Sequence, residues 1–202
     1  MRHEFPQARR GEVIGLLGGS FDPPHAGHLH ISKAALTRFR LDRVWWLVSP
    51  GNPLKERGPA PMAQRMDAAR AMIRHPRIEV TDIEARLGTR YTADTIRKIT
   101  ARYPDVRFVW LMGADNLVQF HLWQDWEEIL YSVPMGVLAR PGERMPARLS
   151  RTARIHGAAR LPSKASELLG RCEAPTWCFV NLPLNPASST AIRESGGWRA
   201  RN

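Results

Sequence analysis

The sequence predicts an α/β fold, a doubly wound parallel sheet with helices on both faces, and three observations carry that prediction. Short apolar runs without alternation recur along the chain, as strands covered on both faces require. Helical patterns separate them, which is the order that right-handed βαβ units produce. Glycine-rich polar turns follow the runs directly, where an open α/β sheet places its functional loops. At 202 residues the chain has the length of one sizeable core, read as a single domain over residues 1–202 with five to six strands and flexible ends at 1–10 and 196–202.

Each element has its own signal. Val13-Ile14-Gly15-Leu16-Leu17 is the first strand, and Gly18-Gly19-Ser20 turns the chain after it. Pro23 and Pro24 suit the first turn of a helix that Leu29, Ser32, Lys33 and Leu36 continue, with His25 and His28 on one face. Val44-Trp45-Trp46-Leu47-Val48 is the second strand, broken by Ser49-Pro50-Gly51-Asn52-Pro53. Pro61 opens a helix to about Arg74, with Met62, Met66, Ala69 and Ile73 on one side. Ile78-Glu79-Val80 is a short third strand. A helix follows from Tyr91-Thr92, with Thr92 as its cap, and ends near Tyr103-Pro104. Residues 106–112 form the fourth strand, followed at once by Gly113-Ala114-Asp115-Asn116 and a helical stretch holding Leu117, Trp123, Trp126 and Leu130. Gly136-Val137-Leu138-Ala139 is the fifth strand. Residues 142–163 have weak periodicity and carry no assignment. Trp177-Cys178-Phe179-Val180 is the last strand, and 185–194 is a turn opening a short helix. The whole pattern is Rossmann-like, without internal repeats or a Gly-x-x-x-x-Gly-Lys phosphate loop.

Hydrophobic residues at 43% and charged residues at 24% are globular proportions and exclude a disordered chain. A formal charge of +11 creates a field that attracts anions, which by itself does not separate nucleotides from nucleic acids or acidic membranes. The basic residues are spread out; a local concentration at Arg144, Arg148, Arg151, Arg154 and Arg160 reads as a solvated loop or helix face. Cys172 and Cys178 form neither a disulfide framework nor a zinc pattern, so a reducing cytoplasm is the expected location. The apolar runs are too short for a signal-peptide core or a membrane span.

Two segments carry chemistry. His25 and His28 stand at a helix start, where unpaired N–H groups, the positive end of the helix dipole and two imidazole donors would together receive a polyphosphate. Taken alone, a His-x-x-His pair serves surfaces and metals as well. Ser188-Ser189-Thr190 offers hydroxyls at another helix start, with Arg193 one turn beyond Ser189; taken alone it is a capping segment. Asp22 reads as a turn former.

Gly19-Ser20-Phe21-Asp22-Pro23-Pro24-His25-Ala26-Gly27-His28 resembles the histidine signature of the nucleotidyltransferase superfamily, and Ser188-Ser189-Thr190-Ala191-Ile192-Arg193 resembles its second signature. Tyr91-Thr92, Gly113-Ala114-Asp115 and Trp123 narrow the resemblance to the nicotinate-mononucleotide adenylyltransferases, over nearly the whole chain. The resemblance implies transfer of the adenylyl group of ATP to nicotinate mononucleotide, releasing pyrophosphate. It implies catalytic roles for His25, His28 and Arg193, and ATP contacts at Gly18, Gly19, Ser20, Phe21, His25, His28, Ser188, Ser189, Thr190 and Arg193. The mononucleotide would meet Asn52, Lys55, Tyr91, Thr92, Gly113, Asp115 and Trp123, with Trp123 stacking on the pyridine ring, a position that bare periodicity assigns to the core. Gly51-Asn52-Pro53-Leu54-Lys55 is an abbreviated version of the family's segment. Mg²⁺ is expected, held mainly through the ATP phosphates rather than by protein ligands. The expected partners are these small molecules, with neither nucleic acid nor membrane, in a monomer or homodimer. Nicotinamide mononucleotide and pantetheine phosphate are the alternative acceptors, and a basic nucleic-acid-binding module is the non-enzyme alternative.

Overall fold

The computed structural model describes residues 5–51, 58–139, 144–183 and 187–200. Its seven strands are β1 (Val13–Gly19), β2 (Arg43–Val48), β3 (Ile78–Thr81), β4 (Arg107–Gly113), β5 (Met135–Ala139), β6 (Arg160–Leu161) and β7 (Trp177–Asn181). They form one sheet in the order β3-β2-β1-β4-β5-β7-β6, and every neighbouring pair is parallel. One strand more is present than the sequence predicts at most. The addition is β6, a two-residue edge piece in the stretch without periodicity, too short to leave a pattern.

Two hydrophobic cores, one on each face, follow from the two-residue period of strand side chains. Leu16 and Trp45 point into one core, whereas the adjacent Leu17 and Trp46 point into the other. The first core is covered by α3 (Ile83–Leu87), α4 (Thr92–Arg102), α5 (Ala114–Gln119), α6 (Trp126–Ser132), α7 (Arg144–Arg148) and α8 (Arg151–Ile155). Helices α1 (Ala26–Arg38) and α2 (Met62–Met72), with the 3-10 helix Ser163–Arg171, cover the second. A last short helix, α9 (Ser189–Glu194), follows β7. Trp45, Trp46, Trp110 and Trp177 are all buried, and cutting such a side chain to Ala costs about 3–5 kcal/mol. No helix among the described residues is long and apolar enough to cross a membrane.

Boundaries depart from the sequence reading at four places. Pro23 and Pro24 precede α1, and His25 is its N-cap. Pro61 caps α2, which stops at Met72 because Ile73 turns extended. Thr92 is the first helical residue of α4, while Tyr91 holds the cap position without a side-chain cap bond. The arginine-rich stretch contains α7 and α8; the Ser150 hydroxyl caps α8, and the Arg148 guanidinium lies 5.5 Å from the Phe179 ring centre. Near the limits of the described residues, Tyr103 Oη donates to the Pro6 carbonyl at 2.7 Å, and Gln64 Nε2 to the Arg199 carbonyl at 2.7 Å.

Strand β1 lies between β2 and β4, so the chain leaves the sheet's centre in both directions. The crevice beyond the carboxyl ends of β1 and β4 is therefore the topological switch point, where open α/β sheets bind ligands.

Candidate active site

Past β1 the chain makes a tight loop whose aromatic residues prop up the histidines. Phe21 sits at φ 48°, a left-handed conformation that costs a non-glycine residue about 1–2 kcal/mol. Its ring stacks on Trp46, with centroids 4.7 Å apart and planes 8° apart, which opposes that cost. The His28 ring packs 4.8 Å from Phe21, and the His25 ring lies 3.8 Å from His28. Trp46 Nε1 donates to Ser32 Oγ at 2.7 Å, and Ser32 Oγ donates to the His28 carbonyl at 2.9 Å, linking the platform to α1.

The two imidazoles cap the helix reciprocally. His25 Nδ1 accepts the Gly27 N–H at 3.1 Å, and His28 Nδ1 accepts the His25 N–H at 3.2 Å. With both Nδ1 atoms acting as acceptors, each neutral ring carries its proton on Nε2. The result is a pair of N–H donors at the positive end of a 13-residue helix.

The second segment docks on the first. Ser188 caps α9 by accepting the Ala191 N–H at 3.1 Å. Ser189 Oγ donates to the Pro23 carbonyl at 2.9 Å, and Arg193 donates through Nη1 to the Asp22 carbonyl and through Nη2 to Thr190 Oγ1 at 3.2 Å. These residues stand more than 160 positions apart and meet at one loop. Gly27 makes the approach possible: a Cβ there would lie 3.2 Å from the Ala187 carbonyl oxygen and 2.8 Å from the His25 ring.

Two residues the sequence reading missed hold the loop in place. Arg65, on α2 and 1% exposed, donates from Nη1 to the Ser20 and Ser49 carbonyls at 2.6 and 2.9 Å and from Nε to the Ala60 carbonyl at 2.7 Å. Burial pulls its pKa down from the ordinary arginine value while nearby Asp22 opposes that shift. Its sequence signal was a charge inside the apolar Met62, Met66, Ala69 stripe, a position an arginine takes only when its donors are used. Trp198 is the other, donating Nε1–H to Asp22 Oδ1 at 2.6 Å. Asp22 Oδ1 also accepts the Ala60 N–H at 3.4 Å, which extends its turn-forming role to two further segments.

Those of the remaining predicted residues that are described lie at or after the carboxyl ends of β1, β3 and β4. Gly18, the last but one residue of β1, faces Trp110, whose ring would lie 2.5 Å from a Cβ at that position. Trp123 is half-buried, meeting Trp110 at 6.3 Å and Phe120 at 5.4 Å, both edge to face. It therefore packs against the core, as periodicity reads it, and keeps part of its surface open. Gly113 closes β4 where a Cβ would strike the Asp115 carboxylate, 2.3 Å away. Asp115 is exposed in the first turn of α5. Tyr91 is exposed and Thr92 half-buried at the start of α4. Asn52 and Lys55 lie outside the described residues.

The chain is similar to known proteins over nearly its whole length. Residues 16–195 match the model of the cytidylyltransferase-like family. The chain is 64% identical to a probable nicotinate-nucleotide adenylyltransferase of Ruegeria pomeroyi over 200 residues, covering 99% of this chain and 94% of that one. The corresponding protein of Roseobacter denitrificans is also 64% identical, over 98% of this chain and all of its own. Among solved structures, the nicotinic acid mononucleotide adenylyltransferase of Plasmodium falciparum complexed with NaAD superposes with a TM-score of 0.68 at 16% identity, over 91% of this chain and 83% of that one, a likeness of fold.

Proposed function

The chain belongs to the cytidylyltransferase-like family, and from that premise we propose that it is a nicotinate-nucleotide adenylyltransferase, joining nicotinate mononucleotide to the adenylyl group of ATP. The observation that carries the reading is the meeting of His25 and His28 with the Ser189 and Arg193 segment at one loop. Both signatures then address one triphosphate.

In the proposed reaction a phosphate oxygen of the mononucleotide attacks the α-phosphorus of ATP. A P–O bond forms on one side, the bond to the β-phosphate oxygen breaks on the other, and pyrophosphate leaves with the electron pair. The nucleophile is already an anion, so the protein must align two polyanions and neutralise the charge that grows on the pentavalent phosphorus and on pyrophosphate. The Nε2–H groups of His25 and His28 and the start of α1 serve that charge. Arg193 spends two of its five N–H groups on Asp22 and Thr190, which fixes the guanidinium beside the loop. Gly18, Gly19, Ser20, Phe21, Ser188, Ser189 and Thr190 line the ATP side. ATP enters as its Mg²⁺ complex, so the ion arrives as part of the substrate.

Trp123 would stack on the pyridine ring, with Tyr91, Thr92, Gly113 and Asp115 around the mononucleotide, joined by Asn52 and Lys55. The half-open indole of Trp123, backed by Trp110 and Phe120, supports this assignment. Pyrophosphate release, measured with MgATP and each of nicotinate mononucleotide, nicotinamide mononucleotide and pantetheine phosphate, tests the reading. Nicotinate mononucleotide should have the highest kcat/KM by at least tenfold. Equal values for the two pyridine mononucleotides would overturn the acceptor assignment. Salt-sensitive polynucleotide binding without pyrophosphate release would overturn the enzyme.

A further inference from the structure

We propose that the outward face of α7 and α8 docks on an anionic lipid bilayer, with Met145, Leu149 and Ile155 entering the acyl boundary and Arg148, Arg151 and Arg154 meeting the lipid phosphates. The proposal does not depend on the reaction above. It departs from the sequence expectation of no membrane partner, which weighed only the length of the apolar runs.

The two helices are patterned inside out. A helix on a globular protein normally turns its large apolar side chains inward and its polar ones outward. Here the buried positions hold only small residues, Ala147 in α7 and Thr152 and Ala153 in α8. Met145, Leu149 and Ile155 face water instead, 62%, 64% and 55% exposed. Leu149 follows α7 directly, and its N–H donates to the Met145 carbonyl at 3.1 Å, so the two side chains stand one turn apart on one face with Arg148 beside them. Arg151, Arg154 and Ile155 repeat the i, i+3, i+4 spacing in α8 and line one open groove. The 3-10 turn Phe120–Leu122, against which α8 packs, adds Leu122 at 65% exposure. Single exposed apolar residues are ordinary, whereas large ones gathered on adjoining short elements mark an interaction surface.

Charge selects the occupant. Between Glu143 and Glu167 the sequence has no acidic residue, while Arg144, Arg148, Arg151, Arg154, Arg160 and Lys164 all fall there. Elsewhere arginines are paired: Arg43 with Glu79, Arg86 with Asp82, and Arg97 with Asp94 and Glu128. Among the described residues, none of Arg148, Arg151 and Arg154 has an acidic partner. A second copy of the chain would set these arginines against their own images across a two-fold axis, with no acid on the face to offset them. A polynucleotide has the complementary charge, but its bases stack on aromatic rings, and the apolar side chains of this face are aliphatic. An anionic bilayer meets both halves of the pattern: its phosphates lie where guanidinium groups reach, and its acyl chains, just below, take aliphatic side chains. Such a face needs no membrane-spanning segment.

The experiment is sedimentation of the full chain with phosphatidylcholine vesicles, with and without about 30% phosphatidylglycerol, at about 0.1 M NaCl. Wild type should bind the anionic vesicles and not the neutral ones. The double variant Leu149→Ser with Ile155→Ser keeps every charge and should bind about tenfold more weakly or worse. Arg151→Gln with Arg154→Gln should bind about thirtyfold more weakly. Arg10→Gln with Arg70→Gln removes the same charge ahead of β1 and on α2, away from this face, and should stay within about threefold of wild type. All six positions are exposed, so each variant should melt within about 3 °C of wild type.

Vesicle binding that survives the Leu149 and Ile155 substitutions undiminished, or that falls equally in the Arg10 and Arg70 variant, is general attraction to a basic protein and overturns the proposal. Absence of binding by wild type overturns it as well. A dimer seen by analytical ultracentrifugation without vesicles, and abolished by the Leu149 and Ile155 substitutions, would give the face to a second copy. Polynucleotide binding that those substitutions weaken more than vesicle binding would give it to nucleic acid. Either result overturns the lipid assignment, and none of these outcomes bears on pyrophosphate release, which tests the functional reading separately.

Discussion

At the scale of single residues, the site depends on which nitrogen of each imidazole is occupied. His25 and His28 use Nδ1 to accept backbone N–H groups of their own helix start, so the capping that builds α1 also assigns the ring proton to Nε2. In the proposed reaction, helix formation and charge stabilisation share one device. Replacing His28 by Ala removes a donor and also the acceptor for the His25 N–H. Loss of one preorganised donor of this kind typically costs about 10²–10³ in rate, so His28→Ala should lose at least 100-fold in kcat while keeping a cooperative melt. Stopped-time pyrophosphate assays beside circular dichroism check this, and turnover within threefold of wild type would remove His28 from the chemistry. The signature itself was legible in the sequence because its residue types and spacing are local. His25 as a cap rather than a helical residue was not, since two prolines satisfy the φ of a first turn equally well in the extended approach to one. Arg65 was hidden for the opposite reason: its three carbonyl partners come from three different segments, none of them marked by residue type.

At the scale of elements, α9 is six residues long, too short to be stable by propensity alone, and it takes its position from the loop it touches. Its place depends on Gly27. A methyl group there would meet the His25 ring at 2.8 Å and the Ala187 carbonyl at 3.2 Å, and neither can yield without moving a residue assigned to the triphosphate. Gly27→Ala should therefore raise KM for ATP about tenfold or more, through displaced α9 and a tilted imidazole, although alanine is the better helix former by about 1 kcal/mol. Comparing KM values for ATP and for the mononucleotide separates this from a general loss. An equal rise in both would place the damage in the fold instead. The long elements were readable because apolar strands and amphipathic helices repeat their pattern over several residues. Helices α7 and α8 span five residues each, and β6 spans two; tertiary contacts hold them, so periodicity had nothing to register.

For the whole molecule, the order β3-β2-β1-β4-β5-β7-β6 brings the 20–28 and 188–193 segments to one crevice, and the net charge of +11 attracts anions to the molecule as a whole. The parallel sheet and the placing of loops after its strands followed from the alternation of strands and helices, whereas the order of the strands did not. What the sequence could not disclose was the return of the chain after α9, because a single tryptophan among glycines and arginines has no periodic partner. Trp198 spans 176 positions to place its N–H on the Asp22 carboxylate, the loop whose carbonyl Arg193 also grips. Trp198→Phe keeps an aromatic ring and deletes only that donor. A hydrogen bond to a charged group contributes about 1.5–3 kcal/mol, and losing it frees Asp22 from one of the two groups on its Oδ1. If the loop serves the triphosphate and the acceptor lies by Trp123, as proposed, the variant should raise KM for ATP several-fold and leave KM for the mononucleotide within twofold. Kinetics with each substrate varied in turn decide the matter: an unchanged ATP KM would reduce Trp198 to surface packing, and a matched rise in both constants would mean that the tail supports the sheet rather than the loop.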